Sequence, residues 1–486
     1  MKNKNMISYV LIIFGILATS FSLLVDLIWV GKAGIQAAQI FGMEIGFIIS
    51  LMGMALFISR QSGSPSPNSF WQELRIRLSS LPDLAWVVIG VLPAFVLFFI
   101  SPMFFGPNLS FHYPDGYLPI IEPVGNDLRL ALSATDSWVK NHQTTEFVFT
   151  PLLTFLFAPM LLLRFPGAYY FFSIVTLISY LILSVLAILM NNGRNYAVIV
   201  FISTISISSY GMQFELERGQ SHTIALMFGV LAVYVFHKQP RFRLFAYLLF
   251  SISVQLKFYP ALLVVMFVDD WRDWKHNLKR FSALGLFNVF LLSLLGFEYF
   301  SAFMEHMTST LGNTEAWVGN HSISSFVKFL QDPEVGLFNG TALIRIKANT
   351  SLITNVLYSY FFACFLAVWI NTYLKKATGV NTDLLLICVI GGLVLPSVNH
   401  DYSLPLLTAP FAMSISDWRN RDYPWGGIVT IPLTIIASFT YSLTLFSHAY
   451  KPGYFQNSLP MLFIILTMVT LLNLAHKRKS VPGVID

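Results

Sequence analysis

Apolar runs of helix-spanning length recur from end to end of this chain, separated by short basic or polar joints. The pattern predicts membrane helices at about 7–29, 40–58, 85–105, 168–190, 195–211, 222–236, 243–256, 259–269, 281–297, 351–373, 382–396, 403–415, 425–447 and 457–475. Several are shorter than the roughly 20 residues that cross a bilayer alone. Short arms of that kind fit where neighbouring protein or a water-filled cavity satisfies the backbone. The fold class is therefore all-α, a polytopic transmembrane helical protein with about 12–14 membrane helices. The run Leu152–Leu163 is too short to cross and is expected to lie at the interface or re-enter. Phe242–Asp269 has basic residues at both flanks, so it is expected to run in and back, turning at Lys257-Phe258-Tyr259-Pro260. A single tilted helix is the alternative. Pro260 suits the first turn of a returning arm.

Composition agrees with this class. Hydrophobic residues make up 55% of the 486 positions and charged ones only 11%, against about 25% charged in soluble domains. The net charge of +6 does not point to nucleic acid, because the basic residues lie between the spans. Lys2/Lys4, Arg60/Arg75/Arg77, Arg194, Lys238/Arg241/Arg243, Arg272/Lys275/Lys279/Arg280, Lys375/Lys376, Arg419/Arg421 and Lys477/Arg478/Lys479 all fall on one side of the predicted topology. The excess of Lys and Arg makes that side cytoplasmic and puts both termini there. Cys364 and Cys388 sit inside apolar runs and read as small buried hydrophobes. The run from Ile7 to Trp29 is long for a signal segment and reads as a retained first helix.

Three regions result. Residues 1–83 hold a helical hairpin and a cytoplasmic linker containing Ser62-Gly63-Ser64-Pro65-Ser66-Pro67. Residues 84–415 form the core, with long outer segments at 106–167 and 298–350. Residues 416–486 add C-terminal membrane helices.

Charged groups near membrane depth are costly and mark function by default. The outer segment 106–167 carries Asp115, Glu122, Asp127, Asp136 and Glu146. Asp127, in Gly125-Asn126-Asp127, reads as a general base or metal ligand, or as a solvated acid capping the helix at 128–134. In Glu215-Leu216-Glu217-Arg218-Gly219-Gln220-Ser221-His222, Arg218 suits an anion, while Gln220 and His222 offer hydrogen bonds; an ordinary polar loop is the bland reading. Lys257 stands amid apolar residues as a point charge for a phosphate, or as a snorkelling side chain. His400 and Asp401, in Asn399-His400-Asp401-Tyr402, bind a phosphate or sugar or simply turn the chain. Asp269-Asp270 sits among Arg272, Lys275 and Lys279 and reads as a mixed-charge loop rather than a metal pair.

The order of these motifs resembles the polyprenyl-phosphate-sugar-dependent membrane glycosyltransferases of the GT-C fold, most nearly glycosyltransferase family 87, the polyprenyl-phosphate-mannose-dependent mannosyltransferases. The residues that carry the resemblance are Gly125-Asn126-Asp127, Thr150-Pro151-Leu152-Leu153, Arg218-Gly219-Gln220, Lys257-Phe258-Tyr259-Pro260, Asn320-His321-Ser322 and Asn399-His400-Asp401-Tyr402. They span roughly residues 84–415 and leave the first two helices outside. The chain departs from the family pattern in three places. Leu128-Arg129-Leu130-Ala131 replaces Tyr-rich text after the aspartate, Phe149-Thr150 replaces Tyr-Pro, and Ser221-His222 replaces a small residue and Asn.

The resemblance implies a GT-C-like membrane enzyme, with interfacial helices in the first outer loop, in a bacterial plasma membrane. It would move a hexose, mannose above others, from a polyprenyl-phosphate donor to a hydroxyl on a glycolipid or glycan acceptor at the extracytoplasmic face. Asp127 would be the catalytic base. Lys257, Tyr259, Arg218, Gln220, Asn320, His321, His400 and Asp401 would contact substrate. No cofactor is expected; a divalent metal, with Asp115 and Asp136 as candidate ligands, stays open but is not favoured. An oligosaccharide polymerase or ligase, and a lipid or sugar flippase, are the competing functions. The outer loops hold few arginines and no paired halves are visible, which weigh against each in turn.

Overall fold

A computed structural model describes residues 125–145, 149–190, 196–207, 209–312, 316, 319–332, 340–375, 379–420 and 457–475. The predicted spans at 7–29, 40–58, 85–105 and 425–447 lie outside these residues, as do Asp115, Glu122 and Glu146. All the regular elements among the described residues are helical. A single isolated antiparallel bridge pairs Asn320 with His400.

Two described helices are long and apolar enough to cross a membrane, α3 (Phe165–Met190) and α12 (Thr350–Leu374). They are used differently. α3 buries Ala168, Phe172 and Thr176 along one face of its first half, where Tyr170, Phe171 and Ile174 are exposed, and most of its residues from Ser179 onward. α12 buries only Phe361, Cys364, Val368 and Thr372, a stripe at three- and four-residue spacing along one face. Its exposed Leu352, Val356, Phe362, Leu366 and Ile370 present a surface suited to lipid.

The expected span 281–297 falls in a pair of helices that together are long and apolar enough to cross, but the pair is bent. α8 (Trp274–Leu292) gives way to α9 (Phe297–Gly312) through a 105° bend. The break falls at Ser293–Gly296, where Gly296 takes φ 94°, a conformation closed to most side chains. The expected span 195–211 likewise splits into α4 (Tyr196–Ile207) and α5 (Tyr210–Arg218), because the Ser209 hydroxyl caps the second helix by accepting from the Met212 N–H.

The segment 242–269 does turn back on itself. α7 (Arg243–Leu256) ends before an extended Lys257, and a 3₁₀ helix runs from Tyr259 to Met266. Arg243 at its start and Asp269 just past its end form an ion pair of 2.6 Å. A straight helix would hold them about 39 Å apart. Arg280 also reaches Asp269, at 3.1 Å, and both guanidinium groups lie over the Phe236 ring.

At the centre lies α13 (Thr382–Val394), buried at every position. Gly391 and Gly392 let Phe361, Leu262 and Tyr259 approach its backbone: a Cβ on either glycine would meet these side chains at 2.6–2.9 Å. At one end of α13 the buried Asp383 accepts from Trp418 Nε1 (2.8 Å) and Asn473 Nδ2 (2.7 Å). Asn473 in turn accepts from Asn371 and Lys375. This knot ties α12, α13, α14 (Thr408–Asn420) and α15 (Leu459–Ala475) together. The site described next lies near the opposite end of α13.

The expected interfacial run is α2 (Pro151–Phe157) continued by a 3₁₀ helix from Ala158 to Leu162. Leu153, Phe157 and Met160 face the core, whereas Phe155, Leu156, Leu162 and Leu163 are exposed. This two-sided pattern is the one a helix lying at a lipid surface requires.

Candidate active site

Two glycines bring the chemistry together. Gly125 precedes α1 (Asn126–Asn141), and Gly219 terminates α5; their φ values are 73° and 69°. A Cβ on Gly219 would lie 2.7 Å from the Leu128 Cβ and one on Gly125 2.8 Å from the Tyr169 ring. The Gly125 N–H donates to the Glu217 carbonyl at 2.6 Å. The start of α1 is thus locked to the end of α5, and Asp127 in the first turn of α1 meets Arg218 in the last turn of α5.

That meeting is a two-pronged ion pair. Arg218 Nη2 donates to Asp127 Oδ1 at 2.5 Å, and Arg218 Nε donates to Oδ2 at 3.2 Å. Gln220 Nε2 also donates to Oδ2. Lys257 Nζ donates to Gln220 Oε1 at 2.8 Å. One carboxylate, one amide and two cations therefore form a continuous hydrogen-bonded chain drawn from three segments. The Asp127 and Arg218 side chains keep 21% and 18% of their exposure, so the chain of contacts borders open space. Lys257 does not snorkel away: burial lowers its pKa, and Asp127 and Glu215 oppose that shift.

Around this chain stand buried groups that hold its backbone. Glu215 accepts from the Thr223 N–H and hydroxyl, both at 2.6 Å, and so caps α6 (His222–Lys238). Burial pushes the Glu215 carboxyl up to about 8, against the Thr223 hydrogen bonds and the Lys257 charge. Tyr259 donates its hydroxyl to the His222 carbonyl at 2.8 Å. The Tyr259 and His222 rings stack, and Tyr402 leans across His222 from the 3₁₀ helix Asp401–Leu407. His400, next to Tyr402, is held down to about 4 by burial first and then by His321, Arg218 and Lys257, with Asp127 opposing. The imidazole is therefore neutral near pH 7.

Asn320 and His321 are placed differently. Both are wholly buried in a junction of three segments. Asn320 Oδ1 accepts from the Ser322 and Asn399 N–H groups, its Nδ2 donates to the Ser397 carbonyl, and its own carbonyl accepts from Asn457 Nδ2. The Ser458 N–H donates to His321 Nδ1 at 3.1 Å, so that nitrogen carries no proton. The other nitrogen, Nε2, then donates to Asp401 Oδ1 at 2.7 Å. Burial raises the Asp401 carboxyl, and His321 opposes it. These three side chains position His400 and the start of the 3₁₀ helix that follows it, and every hydrogen-bonding atom named here is already engaged within the protein.

The structure thus brings Asp127, Arg218, Gln220, Lys257, Tyr259 and His400 into one neighbourhood, with Asn320, His321 and Asp401 behind it. Glu215, His222 and Tyr402 belong to the same neighbourhood. Glu215 stood at the start of the polar stretch 215–222, but its contact was not legible, since its partner lies eight residues on in another helix. His222 was read beside Gln220 as a hydrogen-bonding group, and for Tyr402 the signal was its place in Asn399-His400-Asp401-Tyr402. No group of three or more His, Cys, Asp or Glu side chains among the described residues converges on a metal position. Asp136 pairs with Lys140 at 2.9 Å on the outer face of α1.

The sequence profile of glycosyltransferase family 87 matches residues 147–397, just over half of the chain. No curated protein and no solved structure matches it.

Proposed function

The chain belongs to glycosyltransferase family 87, and from that premise we propose that it moves a hexose, mannose before others, from a polyprenyl-phosphate carrier to a hydroxyl acceptor at the extracytoplasmic face of the membrane. The observation that carries this reading is the chain Asp127–Gln220–Lys257, with Arg218 forked on the same carboxylate. A glycosyl transfer needs a base for the acceptor hydroxyl and positive charge for the leaving phosphate. Both are here within a few ångströms of each other.

Asp127 is the base in this reading. Its Oδ2 accepts from Arg218 Nε and Gln220 Nε2, while Oδ1 accepts from Arg218 Nη2 alone. Each carboxylate oxygen offers two lone pairs, so Oδ1 keeps one for the acceptor hydroxyl. The acceptor O–H proton passes to Oδ1 as its oxygen forms a bond to the anomeric carbon. The bond from that carbon to the phosphate oxygen breaks, and its electron pair leaves with the phosphate. Arg218 and Lys257 share one carboxyl group, Asp127, in this hydrogen-bonded chain, and the nearby Glu215 is held largely protonated near neutral pH. The excess positive charge is what a phosphate on a lipid carrier would meet. The exposed apolar faces of α8, α9 and α12 suit the carrier's tail and the surrounding bilayer.

The test uses membranes carrying the full chain, radiolabelled polyprenyl-phosphate-mannose and a panel of glycolipid and glycan acceptors. Label should move to an acceptor with the wild type and fall by about 10²–10⁴ with Asp127→Asn, the usual contribution of a positioned base. Equal transfer by the two proteins would remove Asp127 from that role. Label moving only from nucleotide sugars would overturn the choice of donor.

A further inference from the structure

His222 is the first residue of α6 and is 8% exposed. Its ring lies parallel to Tyr259, with centroids 5.8 Å apart and 6° between the planes. Tyr402 meets it at 5.0 Å and 49°. Three further contacts fix the ring's base: Tyr259 donates to the His222 carbonyl, Glu215 binds the next residue's N–H, and Ser221 accepts from Ala225. The imidazole is therefore clamped in one orientation before any substrate arrives.

A buried polar atom in a native protein normally has a partner. Nδ1 of His222 is buried and has none among the described residues. His222 follows two residues after Gln220, whose amide joins Asp127 to Lys257, and its ring meets Tyr402, two residues after His400, so the unmet atom belongs to the neighbourhood of Asp127. Preorganised, unsatisfied hydrogen-bonding capacity beside a catalytic group is what a substrate contact leaves behind in the free enzyme.

We propose that His222 is a specificity residue of the transfer reaction, its Nδ1 forming a hydrogen bond with one ring hydroxyl of the transferred hexose. The inference rests on the polyprenyl-phosphate-hexose reading given above. A hydroxyl is favoured over the phosphate on chemical grounds. It donates or accepts, so it satisfies Nδ1 in either tautomer. The phosphate already has Arg218 and Lys257, and an aromatic wall made by Tyr259 and Tyr402 suits a neutral sugar ring better than an anion.

The experiment compares wild type, His222→Phe and His222→Asn in membranes, with polyprenyl-phosphate-mannose and its series of monodeoxy analogues as donors. Phe keeps a planar ring against Tyr259 and removes the nitrogen. Asn loses most of the ring but restores a polar atom close to the Nδ1 position. His222→Phe should lose about 10- to 100-fold in kcat/KM on the intact sugar. It should lose almost nothing further on the one deoxy analogue that lacks the partner hydroxyl. His222→Asn should recover a large part of the activity. A Phe variant as active as wild type, or one impaired equally on every analogue, would overturn the proposal, the second result marking a purely structural ring. Absence of transfer by wild type from any polyprenyl-phosphate hexose would sink the donor reading and this inference with it. An active wild type with an unaffected Phe variant would sink this inference alone.

Discussion

Lys257 reaches Asp127 only through Gln220: its Nζ donates to Gln220 Oε1 at 2.8 Å, and Gln220 Nε2 donates onward to Asp127 Oδ2. An ammonium can only donate and a carboxylate can only accept, so the two neighbours fix which end of the amide faces which. Replacing the amide's donor by a second acceptor should break the link to Asp127 while leaving an acceptor for Lys257. Gln220→Glu sets a second carboxylate against Asp127, and kcat/KM should fall by about 10- to 100-fold, the effect of losing one charge-assisted hydrogen bond. The check is steady-state kinetics beside unfolding midpoints in detergent. An active Glu variant would mean that the amide does not link the two groups.

Arg218 serves Asp127 with two nitrogens at once, and this is a geometric property that lysine lacks. Arg218→Lys keeps the charge and loses the fork. Transfer should fall at least about tenfold. Because the two side chains act as a unit, combining Arg218→Lys with Asp127→Asn should cost little beyond Asp127→Asn alone. Additive losses in that double-mutant cycle would separate the two residues functionally.

The path from sequence to site shows what patterning reaches. The turn at Lys257 was legible because basic residues flank Phe242–Asp269 on both sides, and the Arg243–Asp269 pair is its structural counterpart. Asp127, Arg218, Gln220 and Lys257 came to notice one by one as polar groups in apolar surroundings, and the order of motifs grouped them. Their hydrogen bonds were not legible, since 91 and 37 residues separate the partners. Nor was the support for His321. Its Nδ1 partner is a backbone N–H at Ser458, and a backbone N–H carries no side-chain signature. The bend at Ser293–Gly296 escaped a hydropathy reading because Leu294 and Leu295 continue the apolar run across it.

Gly219 carries the junction between α1 and α5. At φ 69°, with a would-be Cβ 2.7 Å from the Leu128 Cβ, Gly219→Ala meets both backbone strain and a collision. Together these should cost about 1–3 kcal/mol of stability. They should also shift Arg218 relative to Asp127, so transfer falls along with the unfolding midpoint. Gly285, which has nothing within 4 Å of its Cβ position, is the control. Gly285→Ala, in mid-helix, should be neutral or mildly stabilising. Equal effects at the two glycines would argue against a special role for the junction.

Glu215 makes a pH-dependent contribution whose sign follows from its environment. Burial raises its carboxyl from 4.5 to about 8 in the folded protein. Between those values the folded state retains a proton that the unfolded chain has released. Stability must therefore fall as pH rises through that window, by at most about 1.4 kcal/mol per pH unit for one group. Below the window both states are protonated, and above it both are ionised, so the slope vanishes at either end. Glu215→Gln cannot titrate, yet its amide can still meet Thr223. The wild-type unfolding midpoint, measured in detergent and compared with that of the Gln variant, should drop steadily from about pH 5 to about pH 8 and then level off. A constant difference between the two proteins across that range would show that Glu215 does not hold the extra proton.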